Sequence, residues 1–300
     1  MKIIRTAKLF QKTLERERRR GRSIGFVPTM GALHAGHLAL VQAARKNQIV
    51  AVSIFVNPTQ FGPAEDFTKY PRVLTQDAQL LKKAGVDYLF YPSVEEMYPS
   101  SDALSIRFHP QATYVKGLCA RYRPGHFEGV ATVVAKLFNL SGSCRAYFGA
   151  KDYQQTIVIK HLIKDMLFPV QIIVCPTLRE KDGLAMSSRN RYLSVQERRQ
   201  AAWIYQLLTG LKRSIENFPL KQINLALLRK QAVASIERQG IRVQYLEIVD
   251  AEALTPVEGA PFPRRVVAAM AGYVGKTRLI DNVIIPVSQR RKSRKKGKRV

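Results

Sequence analysis

Acidic residues are scarce in this chain. Its 22 Asp and Glu stand against 49 Lys and Arg, a formal net charge of +27. A protein this basic attracts anionic partners, either ATP and carboxylate substrates or, with steep salt dependence, nucleic acid. The tail Arg290–Arg299 holds eight basic residues in ten, and the rest of the chain stays strongly basic without it. No aromatic residue interleaves those tail charges, so the tail lacks platforms on which bases could stack. It is expected to be a disordered, solvated segment, with nucleic acid only a non-specific side interaction. Long apolar runs are missing too. None approaches the roughly 20 residues that a helix needs to cross a bilayer, and the N-terminus has basic residues without the apolar core of a signal peptide. Cysteine is limited to Cys119, Cys144 and Cys175, an odd count without metal spacing. That argues against a disulfide framework and for reduced thiols in a cytoplasmic protein with no membrane partner. Nor does any Ser-His-Asp or Cys-His arrangement declare a protein nucleophile.

What is present gathers around Gly25 to His37, which reads Gly-Phe-Val-Pro-Thr-Met-Gly-Ala-Leu-His-Ala-Gly-His. Ile24, Phe26 and Val27 end a short buried strand, and Pro28 and Gly31 break it. Leu38, Val41 and Ala44 then have helical spacing, with Arg45 and Lys46 in the last turn. His34 and His37 therefore share one side of a first helical turn, where unpaired N–H groups favour an anion. The pair could bind nucleotide phosphate, cap the helix, or form half of a metal site. His109, His126 and His161 are scattered singly and complete no zinc set.

The apolar run Ile49–Val56 reads as a buried parallel strand, so strand, helix and strand form a βαβ unit. Residues 1–22 are an amphipathic, Arg-rich segment expected to form a helix. Thr75–Ala84 follows as a helix and Asp87–Tyr91 as a strand. Pro92 to about Thr113 is loop-rich, with an edge strand at Leu104–Phe108. Val130–Leu140 is helical, Arg145–Phe148 a strand, Tyr153–Met166 a helix and Gln171–Cys175 a strand. Alternating strands and helices make residues 1–176 an α/β, Rossmann-like parallel-sheet domain. After Pro176 a polar loop reaches Asn190. Helical patterns follow at 194–214 and 222–238, then strands at Val243–Val249, Arg265–Ala271 and Arg278–Ile285. Residues 177–287 thus read as a smaller α+β lid domain, and 288–300 as the tail. Gly272-Tyr-Val-Gly-Lys-Thr277 superficially suggests a phosphate-binding loop, but Met270 stands where that motif needs its first Gly. It is read as a hairpin turn.

Several polar side chains fall at strand ends or loops, where open α/β sheets bind ligands. Gln60 follows the second strand in Asn-Pro-Thr-Gln-Phe, and Gln155 opens the helix after Arg145–Phe148. Both are neutral donors and acceptors suited to a hydroxy acid. Gly149, Ala150, Lys151 and Asp152 repeat the strand–turn–helix design, with Lys151 placed for phosphate and Asp152 for a cap or a ribose. Met186, Ser187, Ser188 and Arg189 lie on a loop that Gly183 could hinge, and Arg189 offers a planar fork to phosphate oxygens. Arg123 could hold substrate or shape the pocket. Asp77 could help place Mg²⁺, although a single Asp on a helix is more often solvated.

Met-Gly-Ala-Leu-His-Ala-Gly-His resembles the His-x-Gly-His signature of the nucleotidyl-transferring superfamily that includes class I aminoacyl-tRNA synthetases. Within it the chain resembles the pantothenate synthetase (pantoate–beta-alanine ligase) family. Five blocks match in order: Val27–His37, Ser53–Phe61, Arg123–Phe127, Phe148–Gln155 and Arg179–Asn190. The resemblance implies condensation of pantoate with beta-alanine, driven by Mg·ATP through a pantoyl adenylate, by a homodimer. It implies ATP contacts at Met30, Gly31, Ala32, Leu33, His34, Ala35, Gly36 and His37. Further ATP contacts fall at Gly149, Ala150, Lys151, Asp152 and Leu178, and at Met186, Ser187, Ser188 and Arg189. His34, His37, Lys151 and Arg189 would stabilise phosphate charge. Gln60 and Gln155 would hold pantoate, with Gln60 also contacting beta-alanine. Family members commonly carry an acidic residue where this chain has Ala150, so no side-chain role follows there.

Overall fold

The computed structural model describes residues 1–63, 65, 67–99, 107–217, 223–259 and 261–287. Six strands form a parallel sheet: β1 (Lys2–Ile4), β2 (Ile24–Thr29), β3 (Ile49–Ile54), β4 (Tyr88–Phe90), β5 (Cys144–Gly149) and β6 (Val170–Cys175), in the order β1-β4-β3-β2-β5-β6. The chain builds outward from β2 through β3 to β4, then returns to lay β5 and β6 on the other side. The reversal falls between β2 and β5, so the carboxyl ends of these strands splay apart there and leave a crevice.

Alternation along the strands explains why both faces are covered. Ile24 and Phe26 of β2, with Ile49 and Ala51 of β3, enter one core. Val27, Val50, Val52 and Ile54 enter the other. Both sets are apolar, so each face needs its own helical layer. The first face takes α1 (Ala7–Arg19), α7 (His126–Ser141) and α8 (Tyr153–Asp165) through Phe10, Leu14, Phe138 and Ile159. The second takes α2 (Ala35–Ala44) and α3 (Leu74–Lys83) through Leu40, Val41 and Leu81. Among the described residues of the long β4–α7 connection are three short helices, α4 (Val94–Met97), α5 (Ala112–Val115) and α6 (Leu118–Tyr122).

The remaining elements are α9 (Val195–Ala201), α10 (Trp203–Asn217), α11 (Leu225–Glu237) and an antiparallel sheet of β7 (Ile241–Asp250), β8 (Arg265–Val274) and β9 (Thr277–Pro286). This sheet is also covered on both sides. Leu246, Val266, Ala268 and Met270 pack with α10 and α11. Tyr245, Val249, Val267 and Ala269 join the core of the parallel sheet instead.

Several boundaries differ from expectation. Residues 1–22 hold a strand before their helix, because Ile4 reaches a free sheet edge beside Phe90. The pattern at 194–214 is two helices with a break at Ala202. Helix α7 begins a turn before Val130, at His126. The edge strand expected at Leu104–Phe108 and the tail 288–300 fall outside the described residues, apart from Arg107 and Phe108, which are not in a strand. The Gly272–Thr277 stretch is the β8–β9 hairpin, with Val274 paired to Thr277.

Candidate active site

The turn after β2 is held from behind. Asp77 on α3 is buried and accepts the Ala32 and Leu33 N–H groups, each at 2.8 Å. Ala32 has φ +51°, a left-handed conformation that costs a residue with a side chain about 1 kcal/mol or more, so the turn needs such a clamp. Both carboxylate oxygens of Asp77 thereby hold the backbone. The contacts Asp77 makes are structural ones. Among the described residues no three His, Cys, Asp or Glu side chains stand together as a metal site.

In front of the turn the two imidazoles cap α2. The Gly36 N–H donates to His34 Nδ1 at 3.1 Å, and the His34 N–H donates to His37 Nδ1 at 3.4 Å. Each Nδ1 is an acceptor, so each ring carries its proton on Nε2. The rings lie 4.1 Å apart, centroid to centroid. Burial lowers the His34 pKa to about 4, helped by the Lys151 and Arg191 charges. Burial followed by His34 itself lowers His37 to about 3. Two neutral N–H donors therefore stand at a helix N-terminus.

Across the crevice, β5 ends at Gly149, and a short 3₁₀ turn at Ala150–Asp152 leads into α8. The Asn282 amide of β9 donates to the Ala150 and Lys151 carbonyls at 3.0 and 2.8 Å, fixing this turn from the second sheet. Lys151 Nζ lies 3.5 Å from the Asp152 carboxylate. Burial alone raises the Asp152 pKa, but the Lys151 and Arg189 charges hold it below the usual carboxylate range.

The segment after β6 crosses the opening. It folds back through an Arg179–Ala185 bridge before reaching Met186–Arg189. Gly183 sits at the tip with φ +93°, and a Cβ there would lie 2.3 Å from the Tyr205 ring. The Arg179 guanidinium lies 3.8 Å over the same ring. It also donates to both Asp281 carboxylate oxygens, at 2.6 and 3.0 Å. Gly183 is thus packed into a fixed turn, where a hinge was expected.

Gln60 and Gln155 line the same cavity of about 250 Å³. Gln60 is buried and oriented from three sides. Asn57 Nδ2 donates to its side-chain oxygen at 3.0 Å, leaving its amide N–H₂ beside Met30 Sδ. A relay behind it holds the backbone. Glu65 grips Arg123 with both oxygens at 2.6 Å, Arg123 donates to His126 Nε2 at 2.9 Å, and His126 Nδ1–H donates to the Gln60 carbonyl at 2.8 Å. Arg123 therefore shapes the pocket wall. Val130, Val133 and Val134 of α7 supply an aliphatic wall to the cavity. The close approach of α7 depends on Gly129, where a Cβ would lie 2.3 Å from the Thr59 carbonyl oxygen.

Of the residues expected to meet ATP, Met30, His34, Gly36, His37, Gly149, Lys151, Asp152, Leu178, Met186, Ser187, Ser188 and Arg189 line the cavity. Gly31, Ala32 and Leu33 are buried behind the turn, Ala35 is on its exposed side, and Ala150 does not line the cavity. Sequence reasoning missed Asn57, Glu65, His126, Arg191 and Asn282. The first three lie in or near matched blocks, but their hydrogen bonds act through other residues and leave no pattern of spacing. Asn282 comes from a strand about 130 residues from the turn it holds.

Three comparisons bear on this geometry. The family model described as pantoate-beta-alanine ligase matches residues 2–284. The curated pantothenate synthetase of Thermotoga petrophila is 48% identical over 288 residues, covering 95% of this chain and 100% of its own. That of Thermotoga neapolitana is 49% identical, with the same coverage. The crystal structure of pantothenate synthetase from Thermus thermophilus superposes with a TM-score of 0.82 at 42% identity, over 94% of this chain and 99% of that one. The Francisella tularensis pantoate-beta-alanine ligase, described as complexed with beta-gamma ATP and beta-alanine, gives 0.77 at 38% identity, over 95% of this chain and 97% of its own. A match of this extent, joined to a crevice of this composition, establishes that the chain belongs to the pantoate-beta-alanine ligase family.

Proposed function

We propose that the chain condenses (R)-pantoate with beta-alanine, consuming ATP and yielding pantothenate, AMP and pyrophosphate. A pantoate carboxylate oxygen attacks the α-phosphorus, and the bond from that phosphorus to pyrophosphate breaks. The amine of beta-alanine then attacks the acyl carbon of the pantoyl adenylate. The acyl–oxygen bond breaks, AMP departs, and the amine proton passes to water or to the departing phosphate. Neither step asks for a protein nucleophile.

One observation carries the reading. A single cavity is lined by neutral imidazole N–H donors with Lys151 and Arg189, and also by two uncharged amides with an aliphatic wall. The first set suits phosphate oxygens, whose charge shifts toward the leaving pyrophosphate. The second orients a branched hydroxy acid without trapping its carboxylate in an ion pair, which would blunt the attacking oxygen. Positioning both reactants in one cavity supplies much of the acceleration that such displacements need. His34, His37, Lys151 and Arg189 are assigned to the phosphates, Gln60 and Gln155 to pantoate, and Gln60 also to beta-alanine. Mg²⁺ would accompany the triphosphate. The described residues offer it no carboxylate cluster of their own, and no step is derived through it.

Two further parts of the reading come from the family resemblance or the composition. The active form is taken to be a homodimer, which sedimentation of the purified chain tests. The compartment is taken to be the cytoplasm, in keeping with free Cys119, Cys144 and Cys175, and no described helix is long and apolar enough to cross a membrane. The decisive experiment on the chemistry is exchange of labelled pyrophosphate into ATP without beta-alanine. Exchange that requires pantoate supports the adenylate step. Its absence from folded protein that still binds ATP would refute the assignment.

A further inference from the structure

A second hollow, of about 660 Å³, lies outside the crevice. Helix α10 forms one wall from Trp203 to Arg213, α11 contributes Ser235, and the turn after it contributes Gln239. The hairpin tip at Lys181–Gly183 closes it. Trp203 is the chain's single tryptophan and is 42% exposed. A large flat apolar group left this open is a stacking surface.

The charges at the rim have one net sign. Lys181 and Arg213 line the hollow, and neither appears in an ion pair among the described residues. The acid beside them, Asp182, is already held by the Arg198 guanidinium, at 2.6 and 3.1 Å. An open indole face in a hollow that Lys181 and Arg213 also line is complementary to a flat, apolar body bearing a carboxylate, sulfonate or phosphate.

Tyr205 belongs to this hollow and to the support of the crevice. Its ring carries the Arg179 guanidinium at 3.8 Å and the Gly183 tip against its edge. Arg179 grips Asp281, and the next residue, Asn282, fixes the carbonyls of Ala150 and Lys151. The other arm of the hairpin runs directly into Met186–Arg189. Displacing one ring therefore bears on both sides of the phosphate region.

We propose that this hollow is an effector site for a small organic anion with a flat apolar body, and that its occupancy changes the affinity of the crevice for ATP. The coupling rests on the function proposed above; binding in the hollow does not. The probe is 4-nitrobenzoate, a flat anion that quenches indole emission, added to the full-length chain with excitation selective for Trp203. Saturable quenching is expected, weakened tenfold or more in the Lys181→Gln/Arg213→Gln double variant and for neutral 4-nitrobenzamide. Quenching that rises linearly without saturating, or that is equal for the amide and for the double variant, would overturn the site. Circular dichroism checks that the double variant is folded.

For the coupling, the apparent Kd of the probe is measured with and without saturating ATP. Reciprocity requires that ATP shift it by the factor by which the probe shifts ATP binding, and couplings of about fivefold or more are usual. Tyr205→Leu should abolish the shift, and Tyr205→Phe, which keeps the ring, should retain it. An unchanged Kd in a chain shown by calorimetry to bind ATP would overturn the coupling. If calorimetry shows no ATP binding, it is the proposed function that fails.

Discussion

His34 and His37 carry little positive charge near neutral pH, because each Nδ1 already accepts a backbone N–H and burial opposes protonation. An exposed histidine titrates near 6.5. In this fold the acid limb of the adenylate half-reaction should stay flat through 6.5 and fall only as pH drops toward about 4. Pyrophosphate exchange measured across that range checks it, and a limb centred at 6.5 would refute the neutral-donor reading. Linkage fixes the sign for stability. The folded state binds these protons less readily than the unfolded chain, so stability is retained above pH 6.5 and falls as pH decreases through the window down to about 4 for His34 and about 3 for His37. Truncating His37 to Ala removes one donor and should lower adenylate formation about 10²–10³-fold, equivalent to about 3–4 kcal/mol, with the fold intact. Asp77 differs in kind. Asp77→Ala leaves two buried N–H groups unpaired at roughly 1–3 kcal/mol each. Urea unfolding should show that loss, and the Mg²⁺ dependence of the surviving activity should be unchanged. The sequence made His34 and His37 legible because their spacing and the preceding Gly and Pro put them on one turn. It could not show what Asp77 does. A lone acid on a helix has the same pattern whether it meets a metal, water or a backbone 45 residues away.

At the scale of elements, α7 shows how an ordinary preference can be inverted. Replacing a helical Gly with Ala usually stabilises by about 1 kcal/mol. At Gly129 the added Cβ would meet the Thr59 carbonyl oxygen at 2.3 Å, so the helix and the 57–61 loop must separate. Gly129→Ala is expected to lower thermal stability and to raise KM for pantoate more than KM for ATP, since Gln60 rides on that loop. Equal or greater stability would contradict the close approach. The relay from Glu65 through Arg123 to His126 should behave likewise. Glu65→Gln should raise KM for pantoate while leaving the apolar wall untouched. The strands were easiest to read, since Ile49–Ile54 and Val170–Cys175 are apolar apart from one polar residue each, Ser53 and Gln171. Helix ends were harder. The break at Ala202 lies between two good helix-forming stretches, and β1 exists only because the β4 edge is there to receive three residues.

For the molecule as a whole, the second sheet matters most. Tyr245, Val249, Val267 and Ala269 belong to the core of the parallel sheet, while Leu246, Val266 and Met270 belong to the core under α10 and α11. The change of texture after Pro176 was visible in sequence, but this sharing was not, because the alternation of β8 looks the same whichever neighbours receive its two faces. Denaturation should therefore follow one cooperative transition, with fluorescence and circular dichroism coinciding. A chain cut after residue 176 should aggregate, because the partner of an apolar surface is gone. Deleting Arg290–Val300 should weaken salt-sensitive retention on RNA without altering pantoate-dependent exchange. The doubly covered sheet also limits how the molecule can work. Swinging β7, β8 and β9 outward would strip a buried face, and the turn at Arg179–Ala185 is held by Asp281 and Tyr205, so the freedom to admit a nucleotide and release a product belongs to Met186–Arg189, which line the crevice beyond that turn. Mechanically the protein is a closed vice with one narrow lip, and its stroke can be no longer than those four residues.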